Sequence, residues 1–382
     1  MTGIISVASA PNRPTILVFR RASRRFVKTD LNLSNVQGKP RESMSKLYIL
    51  GGRQRKPGLK EATYQNEWYL YEAGLILEVD TDTGAAKTCV EYRTPREVRA
   101  GEHEAAHFHS GAIAGNKLYT CTSTEVLIYR IPDFQQIGYL SLPCFNDVHH
   151  VTPSSDGNLL VVSTGLDMIV KITPQGEILK EWSAFEEAPW TRFSRNVDYR
   201  RVVTTRPHVS HPNFVFELDG ELWVTRFYQR DAISLNGSRR HIDIATEAPH
   251  DGFMLGDRIC FTTVDCKIVL VNRKSLRIED RINLREIQDR DGEVLPAWCR
   301  GLCPLDDRRF WVGFTRIRST RLRENVRWVK TVLNEGTRIK PTHIALFDIA
   351  EKNCLKEIDL EPYGMNAIYG IFPAPNQESK SA

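Results

Sequence analysis

From residue 107 onward the chain alternates short apolar runs with turn residues. Runs such as "LYTCT" (118–122), "LLVVS" (159–163) and "LWVTR" (222–226) are rich in β-branched and aromatic side chains. They are too short for helices and are bounded by Gly, Asp or Asn, which marks them as strands. Each is followed by another strand closing in "YRI" (129–131), "KIT" (171–173) or "LVN" (270–272), then by a turn and a further strand. The pattern recurs in units that start near 107, 147, 210, 249 and 299, the last resuming at 342 after an insertion. Four short strands in a repeat of about 40 residues define a propeller blade. A sixth blade is assembled from the two ends: "NAIYGIFPAP" (366–375) as inner strand, with "KLYILGG", "GLILEVDTDTG" and "KTCVEYR" from 46–93 outside it. Joining the ends in one blade closes the ring and removes open sheet edges. The expectation is an all-β, six-bladed β-propeller over 44–382, a single domain without helical layers, preceded by a basic extension over 1–43. No Gly-His/Trp-Asp pair occurs, so these are not WD40 blades.

Composition narrows the setting. The 41% hydrophobic and 26% charged content is that of a globular protein. No apolar run approaches bilayer length, so a membrane partner is not expected. The eight cysteines are scattered, and Cys121, Cys260 and Cys303 fall in apolar strands. They read as reduced thiols and point to a cytoplasmic protein. No Asp or Glu precedes residue 30, but the arginine-rich start reads as an ordinary extension rather than a transit peptide.

The stretch "GEHEAAHFHSG" (101–111) contains H-E-x-x-H, the pattern of a zinc-protease helix. Glycines flank it and a strand follows, so the helix that chemistry needs is not expected. The repeat gives another account. His109, His149, His211 and His250 each stand at the start of an inner strand, in four successive blades, from a chain with ten histidines. The longer turn "PSSDGN" leaves His150 as an alternative to His149. Inner strands converge on the central channel, so the four imidazoles are expected to ring its mouth and hold one divalent transition metal, Zn or Fe(II). Blades five and six place Arg300 and Tyr369 there, candidates for catalysis by oxyanion stabilisation and proton transfer. Asp147 and Asp251 read as turn caps, or else as carboxylates that orient imidazoles.

Three long insertions, 51–72, 183–210 and 316–341, are expected on the same face. The last holds eight Lys/Arg against two Glu and a possible short helix bearing Leu322, Val326 and Val329. Arg226 and Arg316 end second strands that also rise there and are expected to bind substrate. The basic face suggests a small anionic substrate; a nucleic-acid partner is not expected.

The stretch "VHHVTPSSDGNLLVVSTGLDMIVKITPQGEILKEW" (148–182) resembles an NHL repeat, and the whole pattern resembles the NHL and SMP-30-like six-bladed propellers. More locally, "PHDGFMLGD" (249–257) and "DVHHVTPSSDG" (147–157) resemble the histidine strands of the peptidyl-hydroxyglycine amidating lyases, zinc enzymes with three channel histidines and nearby Arg and Tyr. The resemblance implies His149 and His250 as ligands, with Arg300 and Tyr369 matched by position only. Two functions follow: a metal-dependent lyase or hydrolase, with oxygen chemistry if the metal is iron, or a non-enzymatic scaffold docking an acidic partner or ligand.

Overall fold

Period-two alternation builds six interfaces between neighbouring sheets. The computed structural model describes residues 45–55, 71–100, 106–236, 240–288, 293–294, 297–316 and 338–375. The basic extension, most of the insertions 51–72 and 316–341, and the expected helix bearing Leu322 lie outside the described residues.

Six four-stranded antiparallel sheets follow one another around the ring. Blade 1 has inner strand Gly111–Ala114, blade 2 Val148–Pro153, blade 3 Pro212–Leu218, blade 4 Phe253–Leu255 and blade 5 Ala297–Pro304. Blade 6 is the composite expected from the sequence: Ala367–Pro373 pairs with Lys46–Gln54, followed by Tyr71–Asp80 and Ala86–Tyr92. Its register runs from Leu47 opposite Pro373 to Gly52 opposite Ala367, so the two ends of the domain close the ring through a strand pair. The strands reach further than expected, to Gln54 and from Tyr71, which trims the 51–72 insertion at both ends.

Successive residues of a strand point to opposite faces, so each blade feeds two neighbours. In blade 6, Leu47 and Ile49 pack toward blade 5 with Trp311 and Ile344, while Tyr48 and Leu50 pack toward blade 1 with Leu118 and Leu127. In blade 2, Leu159 and Val161 join Val126 of blade 1, and Leu160 and Val162 join Val215 and Val224 of blade 3. Aromatic pairs fill the next gap, where Phe216 and Trp223 of blade 3 meet Phe261 of blade 4. Cys260 and Cys266 of blade 4 pack with Cys299, Phe310 and Phe314 of blade 5. None of the eight cysteines forms a disulfide.

Helix is nearly absent: the one α-helix among the described residues is the five-residue Leu284–Gln288. No helix among them is long and apolar enough to cross a membrane.

Candidate functional site

The inner strands deliver their first residues to one small volume. Imidazole rings follow one another across the channel mouth: His107 to His109 at 4.1 Å between centroids, His109 to His149 at 4.5 Å, His149 to His211 at 4.9 Å and His211 to His208 at 5.0 Å. Tyr369 closes the circle against His107 and His109 at 4.8 and 4.9 Å, and its hydroxyl lies 3.0 Å from that of Tyr71. The guanidinium of Arg300 lies 4.9 Å from the ring centroids of both Tyr369 and Trp298. His109, His149 and His211 are thus brought together with Tyr369 and Arg300, and His250 adjoins them through Arg300.

The ambiguity between His149 and His150 is resolved by their partners. His150 turns away, stacks on Phe214 at 3.8 Å and contacts the Gly111 carbonyl and the Val215 amide. Burial pushes it down to about 3, so it is a neutral core residue. His149 faces the channel between Asn213 and Asp147.

Its tautomer follows from the network. The Asn213 side-chain amide donates to the Pro249 carbonyl at 2.9 Å, which leaves Asn213 Oδ1 as an acceptor. His149 Nδ1 lies 2.8 Å from that oxygen and must carry the proton. Nε2 then presents a lone pair to Asp147 Oδ1 at 3.3 Å. A lone pair facing a carboxylate needs a cation between or beside them, either a second ring proton or a metal ion.

The neighbouring groups are ready to serve as ligands. Burial, aided by adjacent histidines, holds His109 and His211 well below the ordinary imidazole value, so both are neutral. His109 Nε2 is buried without a hydrogen-bond partner among the described residues. Burial raises the Asp147 carboxyl, but His149, His208 and His211 outweigh it and hold the group well below the usual carboxylate range. Donor atoms of His109, Asp147 and His149 lie within 4.8 Å of one another, as do those of Asp147, His208 and His211. Two nitrogen donors on one ion stand roughly 3–4 Å apart, given metal–ligand bonds of about 2.0–2.1 Å, so small side-chain adjustments suffice. The donor set therefore fits a borderline transition metal.

His250 departs from the expected role. Arg300 Nε donates to its Nε2 at 3.2 Å, and the residue belongs to neither grouping of donors, where Asp147 stands instead. Burial and then Arg300 hold His250 well below its ordinary value. Arg226 also departs, because the hairpin register sets Asp231 directly opposite it. Its guanidinium bonds both Asp231 oxygens and the Ala184 carbonyl. Arg316 pairs with Glu361 at 2.8 Å. Arg300 contrasts with both: it is 7% exposed, and among the described residues no carboxylate forms an ion pair with it.

Three contributors were not anticipated: His107, His208 and the clamp that holds His208 in place. The loop 184–211 is drawn over the mouth by Asp167, whose carboxylate accepts from the amides of Val209, Ser210 and His211 and from Arg192. Asn146 anchors the same loop through the carbonyls of Tyr199 and Val202.

Asp251 is not an imidazole partner. Its carboxyl is fully buried, accepts from Thr262 and is pushed up to about 7 by burial, with Thr262, the Gly301 amide and Arg300 offsetting only part of that. A folded value above the unfolded one contributes stability that is complete below about pH 4 and lost as pH rises through about 7. The slope between is at most about 1.4 kcal/mol per pH unit. Asp251→Asn is expected to flatten that fall and to be more stable than the parent above pH 8 in urea unfolding; parallel pH profiles would refute it.

No protein-family model matches the chain, and no curated protein matches it. Among solved structures, one of a protein of unknown function from Bacteroides caccae aligns with TM-score 0.54 at 16% identity, over 87% of this chain and 99% of that one. It supports the six-bladed propeller fold alone. More distant are the nidogen/laminin complex (TM-score 0.47, 10% identity, 85% of this chain and 97% of that one) and a catalytically inactive virginiamycin B lyase from Staphylococcus aureus with quinupristin (0.37, 15%, 59% and 69%). The class defined by fold and site is thus an all-β, six-bladed propeller with a histidine-lined channel mouth.

Proposed function

We propose that the protein is a metal-dependent enzyme acting at the channel mouth on a small anionic substrate, by lysis or hydrolysis. The observation that carries this reading is that His149 Nε2 faces Asp147 Oδ1 at 3.3 Å while its Nδ1 is held by Asn213, beside the buried Nε2 of His109, unpartnered among the described residues. A bound Zn or Fe(II) would supply Lewis acidity or a water activated at neutral pH, and iron would add oxygen chemistry. His109, His149 and Asp147 would hold it, and Asn213 fixes the His149 ring as orienting partners do.

The remaining groups supply recognition and proton transfer. Arg300 is a buried cation with no ion-paired carboxylate among the described residues, and an anionic substrate group would complement it. Its guanidinium carbon lies over the Tyr369 ring, a cation–π contact that helps to hold it. The hydroxyls of Tyr71 and Tyr369 lie within hydrogen-bond distance and can pass a proton between them.

Elemental analysis of the protein purified without a histidine tag is the test. About one or more Zn or Fe per chain, lost in a folded His109→Ala/His149→Ala variant, is expected. No metal in the parent, even after reconstitution, would remove the metalloenzyme reading and leave a scaffold whose Arg300 binds an acidic ligand. Arg300→Met is expected to keep the metal while weakening inhibition or protection by small carboxylates and phosphate at least tenfold.

A further inference from the structure

We infer that the channel mouth holds two metal ions rather than one, with Asp147 shared between them. The inference rests on the metal-dependent reading above and extends it to a second site made by Asp147, His208 and His211. Those three donors lie within 4.8 Å of one another, as do His109, Asp147 and His149, and Asp147 is the one residue common to both groupings. A carboxylate has two oxygens, so it can serve both ions at once.

The second grouping has its own built geometry. His208 Nδ1 and His211 Nδ1 lie 2.8 Å apart, close to the roughly 3 Å that separates adjacent nitrogen donors on one ion. The Thr205 hydroxyl donates to the Gly165 carbonyl, so toward His208 Nε2 at 3.3 Å it can only accept. The proton of His208 is therefore on Nε2 and its lone pair on Nδ1, aimed at His211. Without a metal, one proton on His211 must bridge the two nitrogens; a divalent cation takes the place of that proton. The orienting bond on the far nitrogen is what ligating histidines have.

Backbone strain falls on two of the three donors. Asp147 and His211 both occupy the left-handed region, with φ of 50° and 52°. Non-glycine residues are held there only where the surroundings over-determine them. For His211 the surroundings include Asp167, which fixes its amide at 2.7 Å. The nitrogen and carboxylate donors select divalent cations such as Zn, Co, Fe or Mn.

Titration of chelator-stripped full-length protein with Co(II), followed by visible absorption and electron paramagnetic resonance, tests the inference. Two equivalents are expected in the parent, with the resonance signal diminished by coupling as the second site fills. His208→Ala, and His208→Gln should the first fail to fold, is expected to bind one equivalent with an uncoupled signal. A single equivalent in the parent, unchanged in the His208 variant, would overturn the two-metal inference and leave the one-metal reading standing. Two equivalents in both would overturn the assignment of His208. No Co(II) bound in the parent would overturn both readings together.

Discussion

Asp147→Asn is expected to weaken metal binding by more than 100-fold at every site in the channel mouth. A histidine variant should affect one grouping of donors, because His109 belongs to one and His208 to the other. Asp147 belongs to both, and it supplies the only negative charge in either. The amide keeps the shape and one oxygen but loses the charge that offsets a divalent cation in a desolvated pocket. Calorimetric titration with Zn(II) or Co(II) measures the effect; retention of parental affinity would show that the histidines alone form the site. The parent should also be stabilised by metal, by about 2.7 kcal/mol at a free concentration 100 times Kd, and the variant should not.

The same substitution has a distinct consequence without metal. The Asp147 carboxyl lies well below the usual carboxylate range, since three imidazoles outweigh the effect of burial. A depressed folded value contributes stability that is present above about pH 4 and lost as pH falls through the folded value. In chelator, Asp147→Asn should therefore lie furthest below the parent near neutrality and approach it in acid. A constant gap across that range would mean that packing, not charge, makes the difference.

The fold was legible because its signals are local. Alternation in "KLYILGG" and "LLVVS" assigns odd and even residues to opposite neighbours, and the structure realises this in the split of Leu47 and Ile49 from Tyr48 and Leu50. The register of His109, His211, Arg300 and Tyr369 followed from the same repeat, whereas His149 and His150 stayed one residue ambiguous until their partners were known. His107 had a readable signal: in extended chain, residues two apart share a side, so His107 accompanies His109 while Phe108 enters the core. Arg226 had one as well, since Asp231 begins the next strand of the same hairpin. His208 had none. It reaches the site because Asp167 and Asn146, distant in sequence, fold its loop inward. The engagement of His250 by Arg300 likewise depends on the meeting of two blades.

The closure of blade 6 makes the second large prediction, Gly51→Ala. A Cβ at Gly51 would stand 1.9 Å from the Ala367 carbonyl oxygen and 2.5 Å from the Met365 sulfur. The oxygen belongs to the backbone of the inner strand, so no rotamer change relieves it. The site sits where the pairing of the two end strands shifts register, between Leu50 and Gly51. Its carbonyl also accepts from the Phe108 amide at 2.9 Å, which ties the composite blade to blade 1. Relief requires the strands to part at the seam that closes the ring, so the cost should reach or pass the upper end of the overpacking range, about 3–4 kcal/mol. Gly74→Ala, in the adjacent strand, is the comparison: its Cβ would meet the Phe108 ring at 3.1 Å and amide nitrogen at 3.2 Å, tight but not prohibitive, and about 1 kcal/mol is expected. Urea unfolding of both variants measures the difference. Because the strand that must move carries Tyr369, Gly51→Ala should also disturb the mouth, and metal or anion binding should fall in the fraction that remains folded. Equal stabilities for the two variants would mean that the end strands can separate at little cost, and that the ring does not depend on this closure.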